Sequence, residues 1–226
     1  LGASHAGVKA MSGSSGGGFA LMSEPLGLAE MTETPVVLVE AMRAGPSTGM
    51  PTKPEQSDLE HVLYTSQGDS QRVVLAPGTV EEAYTQSRIA FRLAYEYQIP
   101  SILLYDQKLG GEMTNVPKSH FDREPNPTLG KTLSEDALAD EPHSADGKFH
   151  RFQHDVDDGV SPRSIPGQKG GRFLATGNEH DPTGHIAESP DNRVAQIDRR
   201  TQKLEAIRAD LDTEDTGSYA GPEDAQ

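Results

Sequence analysis

Residues 36–58 read Val36-Val-Leu-Val-Glu-Ala-Met-Arg-Ala-Gly-Pro-Ser-Thr-Gly-Met-Pro-Thr-Lys-Pro-Glu-Gln-Ser-Asp58. An apolar run ends in a single arginine, Arg43, and a loop rich in proline and glycine follows. This order predicts a buried parallel strand that delivers one cation to the carboxyl edge of a sheet, where open α/β sheets bind their ligands. The guanidinium fork of arginine can make two parallel hydrogen bonds to a carboxylate, so Arg43 is a candidate anion-binding residue.

Strand and helix patterns alternate around this stretch. Strands are predicted at 8–14, 35–41, 72–76 and 99–105, and helices at 19–31, 55–64 and from Thr79 to about Tyr97. Thr79 and Glu82 form the sequence pattern of a capping box at the start of the last helix. Such alternation predicts an α/β fold in which a parallel sheet is sandwiched between helices.

Composition excludes several classes of protein. The chain has 226 residues, a formal net charge of −15 and no cysteine. The acidity argues against nucleic acid binding, and the lack of thiols excludes disulfides and an iron–sulfur cluster held by this chain alone. No run approaches the roughly 20 apolar residues of a membrane span, and no signal pattern is visible, so we expect a cytoplasmic protein. We interpret the acidity as a halophile-like surface, with a disordered acidic tail as the alternative.

The chain is expected to contain three regions. Residues 1–110 form the α/β domain, whose N-terminal part we expect to be missing because the chain begins at Leu1 as if cut from a longer one. Residues 111–189 are rich in Pro, Asp, His and Gly and are predicted to form an extended arm that wraps a partner or another domain, with plain disorder as the alternative. Residues 190–226 are predicted to be a helix and, from Asp212, a linker to a missing C-terminal domain. That helix carries a thin apolar stripe of Val194, Ile197, Leu204, Ile207 and Leu211.

Two local motifs allow a structural and a functional interpretation each. Residues 12–22 contain the run Gly16-Gly-Gly18 between a predicted strand and helix, where a backbone can approach an anion closely. From the residues alone, a tight turn with close helix–sheet packing is the favoured reading. For Arg43, an ion pair with Glu40, Glu55 or Asp58 is the favoured reading on the same basis.

The same two motifs carry a family resemblance. The stretch from Arg43 to Lys53 resembles the segment Arg-(Ala/Gly)-Gly-Pro-Ser-Thr-Gly-Leu-Pro-Thr-Lys of 2-oxoacid:ferredoxin oxidoreductase α subunits, with Met50 in place of leucine. Residues 12–22 are similar to the Thr-Ser-Gly-Pro-Gly-Phe-Ser-Leu-Met segment of that family, with Gly17 for proline and Ala20 for serine. Further likenesses cover nearly the whole chain, and the Gly-Pro-Ser-Thr-Gly loop from Gly45 to Gly49 favours the 2-oxoglutarate type.

The resemblance implies roles for particular residues. It implies that this chain carries the pyrimidine-binding domain of a thiamine diphosphate enzyme and that Arg43 binds the carboxylate of the 2-oxoacid. The residues implied to contact the cofactor are Ser15, Gly16, Gly17, Gly18 and Phe19. No catalytic residue and no metal ligand is expected in this fragment, because the activating glutamate and the substrate-contacting threonine of the family precede the segment that Leu1 begins.

The resemblance also implies a reaction and its partners. The expected activity is oxidative decarboxylation of 2-oxoglutarate, or pyruvate, to acyl-CoA and carbon dioxide, with coenzyme A as acyl acceptor and ferredoxin as electron acceptor. Mg²⁺ and an iron–sulfur cluster are expected on the β subunit of a hetero-oligomer, so the fragment should be inactive alone. Two alternatives stay open: a non-redox thiamine diphosphate decarboxylase or carboligase, and a non-catalytic scaffold fragment.

Two further segments are less informative. The acid and imidazole run from Asn178 to His185 could ligate a metal, but its Pro–Gly setting favours a structured polar turn, and the family has a similar segment from Thr176 on. The segment Tyr105–Glu112 follows the last strand and is a candidate contact to the cofactor or the partner subunit. Within it, Asp106 is predicted to be structural rather than catalytic.

Overall fold

The computed structural model describes residues 1–121, 126–140 and 146–211. Its helices are α1 (Gly2–His5), α2 (Gly17–Ala20), α3 (Ser23–Met31), α4 (Leu59–Tyr64), α5 (Val80–Tyr97), α6 (Gln107–Gly110), α7 (Glu135–Asp140) and α8 (Pro190–Leu211), with a 3₁₀ turn at Lys118–Phe121. Its strands are β1 (Met11–Ser14), β2 (Val36–Met42), β3 (Val73–Leu75) and β4 (Pro100–Asp106). The predicted linker from residue 212 onward lies outside the described residues.

The four strands form one parallel sheet in the order β1-β2-β4-β3. The central strand β2 pairs with β4 along its whole length, from Val36 opposite Pro100 to Met42 opposite Asp106. Because β2 is buried on both faces, it reads as a nearly continuous apolar run, as strands of parallel sheets do. The predicted α/β class with helices on both faces is confirmed.

Two apolar clusters show how the faces are covered. Under α5, the buried residues are Val37, Val73, Leu75, Ala90, Leu93, Ala94, Tyr95, Ile99, Leu103 and, from α8, Ile207. Under α2, α3 and α4, they are Phe19, Leu26, Ala29, Val36, Leu38, Met42, Val62, Ile102 and Leu104. Consecutive residues of β2 therefore serve opposite clusters, as strand alternation requires.

The predicted helix at 19–31 is wrong as a single element. The chain forms α2, turns at Leu21 and Met22, and starts α3 at Ser23. This late start places Pro25 within the first turn of α3, where its missing N–H breaks no helical hydrogen bond.

Three other predicted elements are shorter than expected. The first strand begins at Met11 rather than Val8, because the Tyr95 hydroxyl binds the Val8 carbonyl at 3.1 Å and accepts from the Ala10 N–H at 2.8 Å. The strand predicted at 72–76 spans Val73–Leu75. The helix predicted at 55–64 begins at Leu59, since the residues before it fasten the loop that follows β2.

The cap of α5 is confirmed with a small change. The Thr79 hydroxyl accepts a hydrogen bond from the Glu82 N–H at 3.1 Å. The Glu82 carboxylate accepts from the Gly78 N–H at 2.7 Å, one residue earlier than in a capping box.

The described residues between 126 and 189 lie against the α/β part of the same chain. They contain little regular structure, yet Phe149, Phe152 and Val160 are buried. Arg151 is also buried and donates to the Glu33 carbonyl at 2.9 Å and to the Gln98 side chain at 2.7 Å. The described part of this region is therefore packed against the α/β part of the same chain, and its predicted contact with a partner or another domain stays a prediction.

The predicted apolar stripe of α8 is wrong in part. Val194 is 58 % exposed, whereas the buried face of the helix carries Gln196, Arg199, Arg200, Lys203 and Ile207. Polar residues lie inward because α8 covers a buried carboxylate, Glu33, which must be paired. In the described ranges, no helix is both long and apolar enough to cross a membrane.

Candidate functional site

A cleft opens at the carboxyl edge of the sheet, where β1, β2 and β4 end side by side. Its volume is about 580 Å³. It is lined by Gly13, Ser14, Ser15, Gly18, Val39, Ala41, Arg43 and Tyr105. Because the three strands are parallel, residues distant in sequence converge here, as the general rule for α/β ligand sites requires. The structure thus brings Ser15, Gly18 and Arg43 together, as well as the predicted contact residue Tyr105.

The glycine run makes a sharp turn at one wall of this cleft. Gly16 has φ +48°, a backbone conformation that L side chains rarely adopt. A Cβ atom on Gly18 would lie 2.0 Å from the Ser14 hydroxyl. The small residues therefore let α2 begin directly against the end of β1.

The remaining predicted cofactor contacts are placed differently. Gly17 is exposed, and a Cβ added there would meet nothing within 4 Å. Phe19 is fully buried in the core under α2 to α4 and makes an edge-to-face contact with His61, with ring centroids 5.6 Å apart. The side chain of Phe19 thus anchors the turn from inside, away from the cleft.

Arg43 lies at the end of β2 and points into the site. A Cβ atom on Gly16 would be 3.6 Å from its Nε, so its side chain lies against the glycine turn. No described residue forms a hydrogen bond with the buried Nε. The ion pairs with Glu40, Glu55 or Asp58 that the sequence allowed are not present in the described structure. Glu55 instead accepts from the Gly45 N–H at 3.1 Å.

The sequence analysis missed the importance of Glu40. It is fully buried in β2, and its Oε1 accepts from the Gly16 N–H at 2.7 Å. Burial raises the pKa of Glu40 to about 7, with the carboxylate of Asp58 adding to the rise. The sequence does indicate a role for Glu40, because burying a glutamate within an apolar β-strand costs free energy unless its carboxylate has a specific partner.

Asp106 behaves as the structural residue predicted. Its carboxylate caps α6 by accepting from the Leu109 N–H at 2.9 Å and accepts from the Gln56 amide at 2.8 Å. The hydrogen bond from Leu109, followed by that from Gln56, lowers the pKa of Asp106. Asp106 therefore ties the loop after β2 to the end of β4.

The loop from Asn178 to His185 is a structured polar turn, as predicted. Asp181 accepts from the Thr183 N–H at 2.8 Å and the Thr183 hydroxyl at 2.7 Å. His180 is fully buried, and burial lowers its pKa, so its Nδ1 in the neutral form donates to the Asn178 carbonyl at 2.9 Å. Within the described ranges, no group of three His, Asp or Glu side chains is arranged to hold a metal ion.

Residues 1–199 match the family model described as pyruvate flavodoxin/ferredoxin oxidoreductase, thiamine diphosphate-binding. The chain belongs to this family. The family resemblance proposed from Arg43 to Lys53 is thereby confirmed, and so is the thiamine diphosphate-binding character of the domain.

Relatives within and around this family agree. The chain is 38 % identical over 225 residues to the α subunit of 2-oxoacid:ferredoxin oxidoreductase 2 from Aeropyrum pernix, covering 100 % of this chain and 33 % of that one. It is 48 % identical over 110 residues to the 2-oxoglutarate synthase subunit KorA of Archaeoglobus fulgidus, covering 49 % of this chain and 32 % of that one.

A solved structure shows the same fold. The 2-oxoglutarate:ferredoxin oxidoreductase from Magnetococcus marinus, with 2-oxoglutarate, coenzyme A and succinyl-CoA bound, matches with a TM-score of 0.80 and 35 % identity. The match covers 99 % of this chain and 36 % of that one. This chain spans about a third of the length of the curated relatives it matches.

Proposed function

We propose that this chain is the pyrimidine-binding part of the α subunit of a 2-oxoacid:ferredoxin oxidoreductase, with 2-oxoglutarate as substrate and pyruvate as the alternative. The observation that carries the proposal is Arg43, whose buried Nε has no hydrogen-bond partner among the described residues and lies at the ligand edge of the sheet. A guanidinium in this setting is suited to a carboxylate. We favour 2-oxoglutarate because this chain is similar to a 2-oxoglutarate synthase subunit and to a 2-oxoglutarate:ferredoxin oxidoreductase.

In the proposed reaction, one 2-oxoacid, one coenzyme A thiol and two oxidised ferredoxins give one acyl-CoA, one carbon dioxide, one proton and two singly reduced ferredoxins. The bond between the carboxylate and the keto carbon breaks, and the sulfur of coenzyme A forms a thioester bond to the former keto carbon. Arg43 would hold the carboxylate in place before that bond breaks, and positioning of this kind can supply a large part of a rate enhancement.

The residues of the cleft fit thiamine diphosphate. Ser15 Oγ and Arg43 Nε are both buried without a hydrogen-bond partner in the described structure, and both residues line the cleft. A ligand with ring nitrogens and a substrate with a carboxylate would satisfy them. When bound, the cofactor supplies the means to stabilise negative charge on the former keto carbon. Ser15 and Gly18 would contact its pyrimidine ring, and Gly16, Gly17 and Phe19 would hold the turn that positions these two residues.

The remaining machinery is proposed to lie on other polypeptides or segments. The chain has no cysteine, so the iron–sulfur cluster that passes electrons to ferredoxin must be held elsewhere. We place the cluster, Mg²⁺ and the diphosphate site on a β subunit, which would close the open cleft from the other side. We also propose residues 1–110 as the domain proper, 111–189 as its arm and 190–226 as helix and linker; a cytoplasmic location stays a prediction.

The test is viologen reduction by the full-length α chain co-expressed with its β partner in high salt. The assay contains coenzyme A, thiamine diphosphate and Mg²⁺, and it is run with 2-oxoglutarate and with pyruvate separately. Reduction with either substrate establishes the class, and the ratio of the two kcat/KM values names the preferred 2-oxoacid. A complex that holds iron and cofactor but reduces no viologen contradicts the proposal. Carbon dioxide release without viologen reduction would then identify a non-redox thiamine enzyme. Absence of both carbon dioxide release and viologen reduction would favour a non-catalytic scaffold.

A further inference from the structure

Glu40 is the one carboxylate in the central strand of the sheet, and it lies directly behind the glycine turn. It is fully buried, and the neighbouring strands place Ser14 and Leu104 beside it in register. Its Oε1 accepts from the Gly16 N–H at 2.7 Å, which fixes the residue at which the turn changes direction. One of its two oxygens is thereby used to shape a wall of the cleft.

The second oxygen of Glu40 is buried and has no donor among the described residues. Glu40 Oε2 and Asp58 Oδ2 are both buried, and neither has a donor partner in the part of the chain that the structure describes. Burial raises the pKa of Glu40, and the charge and side-chain hydrogen bonding of Asp58 add to the rise, so both favour the protonated form of Glu40. With a pKa of about 7, Glu40 keeps its proton up to about neutral pH.

Asp58 and Arg43 are the charged groups that act most strongly on Glu40 among the described residues. Arg43 lies just after the end of β2 and favours the ionised form of Glu40. From α4, His61 packs against Phe19, and at the end of β4, Asp106 is held by its own hydrogen bonds. Asp58, immediately before α4, is therefore the acid that opposes ionisation of Glu40, and Arg43 is the cation that promotes it.

We propose, resting on the function proposed above, that Glu40 is a positioning residue: buried behind the Gly16 turn against which Arg43 lies, it carries a proton that keeps the Arg43 guanidinium available for the substrate carboxylate. Protonated Glu40 holds the Gly16 N–H and carries no charge that would draw Arg43 away from the cleft. Ionised Glu40 competes with the 2-oxoacid for the same guanidinium. Substrate binding, rather than the chemical step, is thus sensitive to this proton.

The test compares the wild-type complex with Glu40→Gln over a range from about pH 6 to about pH 9. In the wild type, KM for 2-oxoglutarate should rise roughly tenfold above neutral pH while kcat changes little, since one pKa unit corresponds to a tenfold change in population. In Glu40→Gln, KM should stay low and independent of pH, because the amide keeps an acceptor for Gly16 and cannot ionise. Glu60→Gln, an exposed acid in α4, is the matched control and should follow the wild type.

A second variant and a second readout separate this inference from the proposed function. Asp58→Asn removes the opposing charge, so the rise in KM should begin at lower pH. Infrared difference spectroscopy on the intact complex should show a carboxylic acid band that titrates near neutral pH and is lost in Glu40→Gln, whether or not the complex turns over. An inactive complex that keeps this band contradicts the function only. Absence of the band, or the same KM profile in Glu40→Gln and wild type, overturns the inference.

Discussion

Lys203 Nζ lies 2.5 Å from Glu33 Oε2 in the interior of the protein, although the two residues are 170 positions apart in sequence. Arg199 pairs with the same carboxylate, with its Nη1 at 3.0 Å from Oε2. Burial opposes the ionisation of Glu33, but Arg199 and Lys203 outweigh it and hold its pKa well below the usual range. Burial also lowers the pKa of Lys203 to about 8. This ion cluster fastens α8 to the end of α3.

Glu33→Gln should therefore destabilise the fold strongly. The substitution leaves Arg199, Lys203 and the nearby Arg151 buried without a counter-charge, and removing one partner of a buried pair typically costs about 3–5 kcal/mol. The free energy of unfolding of the intact chain, measured by urea titration, should fall by that order. Glu24→Gln, an exposed acid in α3, should leave it unchanged. Equal midpoints for the two variants would show that the cluster adds no stability.

Arg43→Ala in the full complex should raise KM for the 2-oxoacid about 100-fold, because a charge-assisted hydrogen bond to a carboxylate is lost. Binding of thiamine diphosphate, measured by calorimetry, should be nearly intact. Lys53→Ala, an exposed cation at the far end of the same loop, serves as the control and should keep the wild-type KM. Unchanged kinetics in Arg43→Ala would remove this residue from the substrate site.

Gly49→Ala should disturb the loop that supports Arg43. Gly49 has φ +53°, and a Cβ atom there would lie 1.8 Å from the Ala44 carbonyl oxygen, which accepts from the Met50 N–H at 2.8 Å. The added methyl must break this closure, so exchange of the Met50 amide hydrogen should quicken and KM should rise roughly tenfold. Gly45→Ala is the matched control, since a Cβ there meets nothing within 4 Å. Identical amide exchange in both variants would contradict the argument.

The raised pKa of Glu40 predicts a pH-dependent difference in stability. The folded protein keeps a proton on Glu40 between about pH 4.5 and about pH 7, whereas the unfolded chain has released it, so the contribution of Glu40 is lost as pH rises through this window. Glu40→Gln does not titrate. Its unfolding free energy relative to wild type should therefore increase by about 2–3 kcal/mol from pH 5 to pH 8. Urea titrations at both pH values measure this, and a constant difference would show that Glu40 has an ordinary pKa.

The halophile interpretation predicts dependence on salt. With 35 acidic against 20 basic side chains, self-repulsion should unfold the chain as potassium chloride falls well below molar concentration. Circular dichroism at decreasing salt measures this loss, and sodium chloride should restore the signal whereas sucrose of equal osmolality should not. A full helical signal in dilute buffer would refute the interpretation.

Local sequence patterns determined much of this protein. The run from Val36 to Met42 predicts a buried parallel strand because its side chains are apolar on both faces, and the cap at Thr79 predicts the start of α5 because it satisfies an N–H of the first turn. The position of Arg43 at the ligand edge follows from the same strand. These features depend on residues that are close together in sequence, so the sequence alone predicts them.

Tertiary structure decided what depends on residues far apart. The buried face of α8 is polar because Glu33 lies beneath it, and nothing within 190–211 shows that carboxylate. Likewise, the Gly16 N–H reaches Glu40, and Asp58 acts on the pKa of Glu40, only when the end of β1, β2 and the segment before α4 meet at one edge of the sheet. Burial in a medium of low polarity makes each such pairing obligatory, and burial is set by the whole fold rather than by any local stretch of sequence.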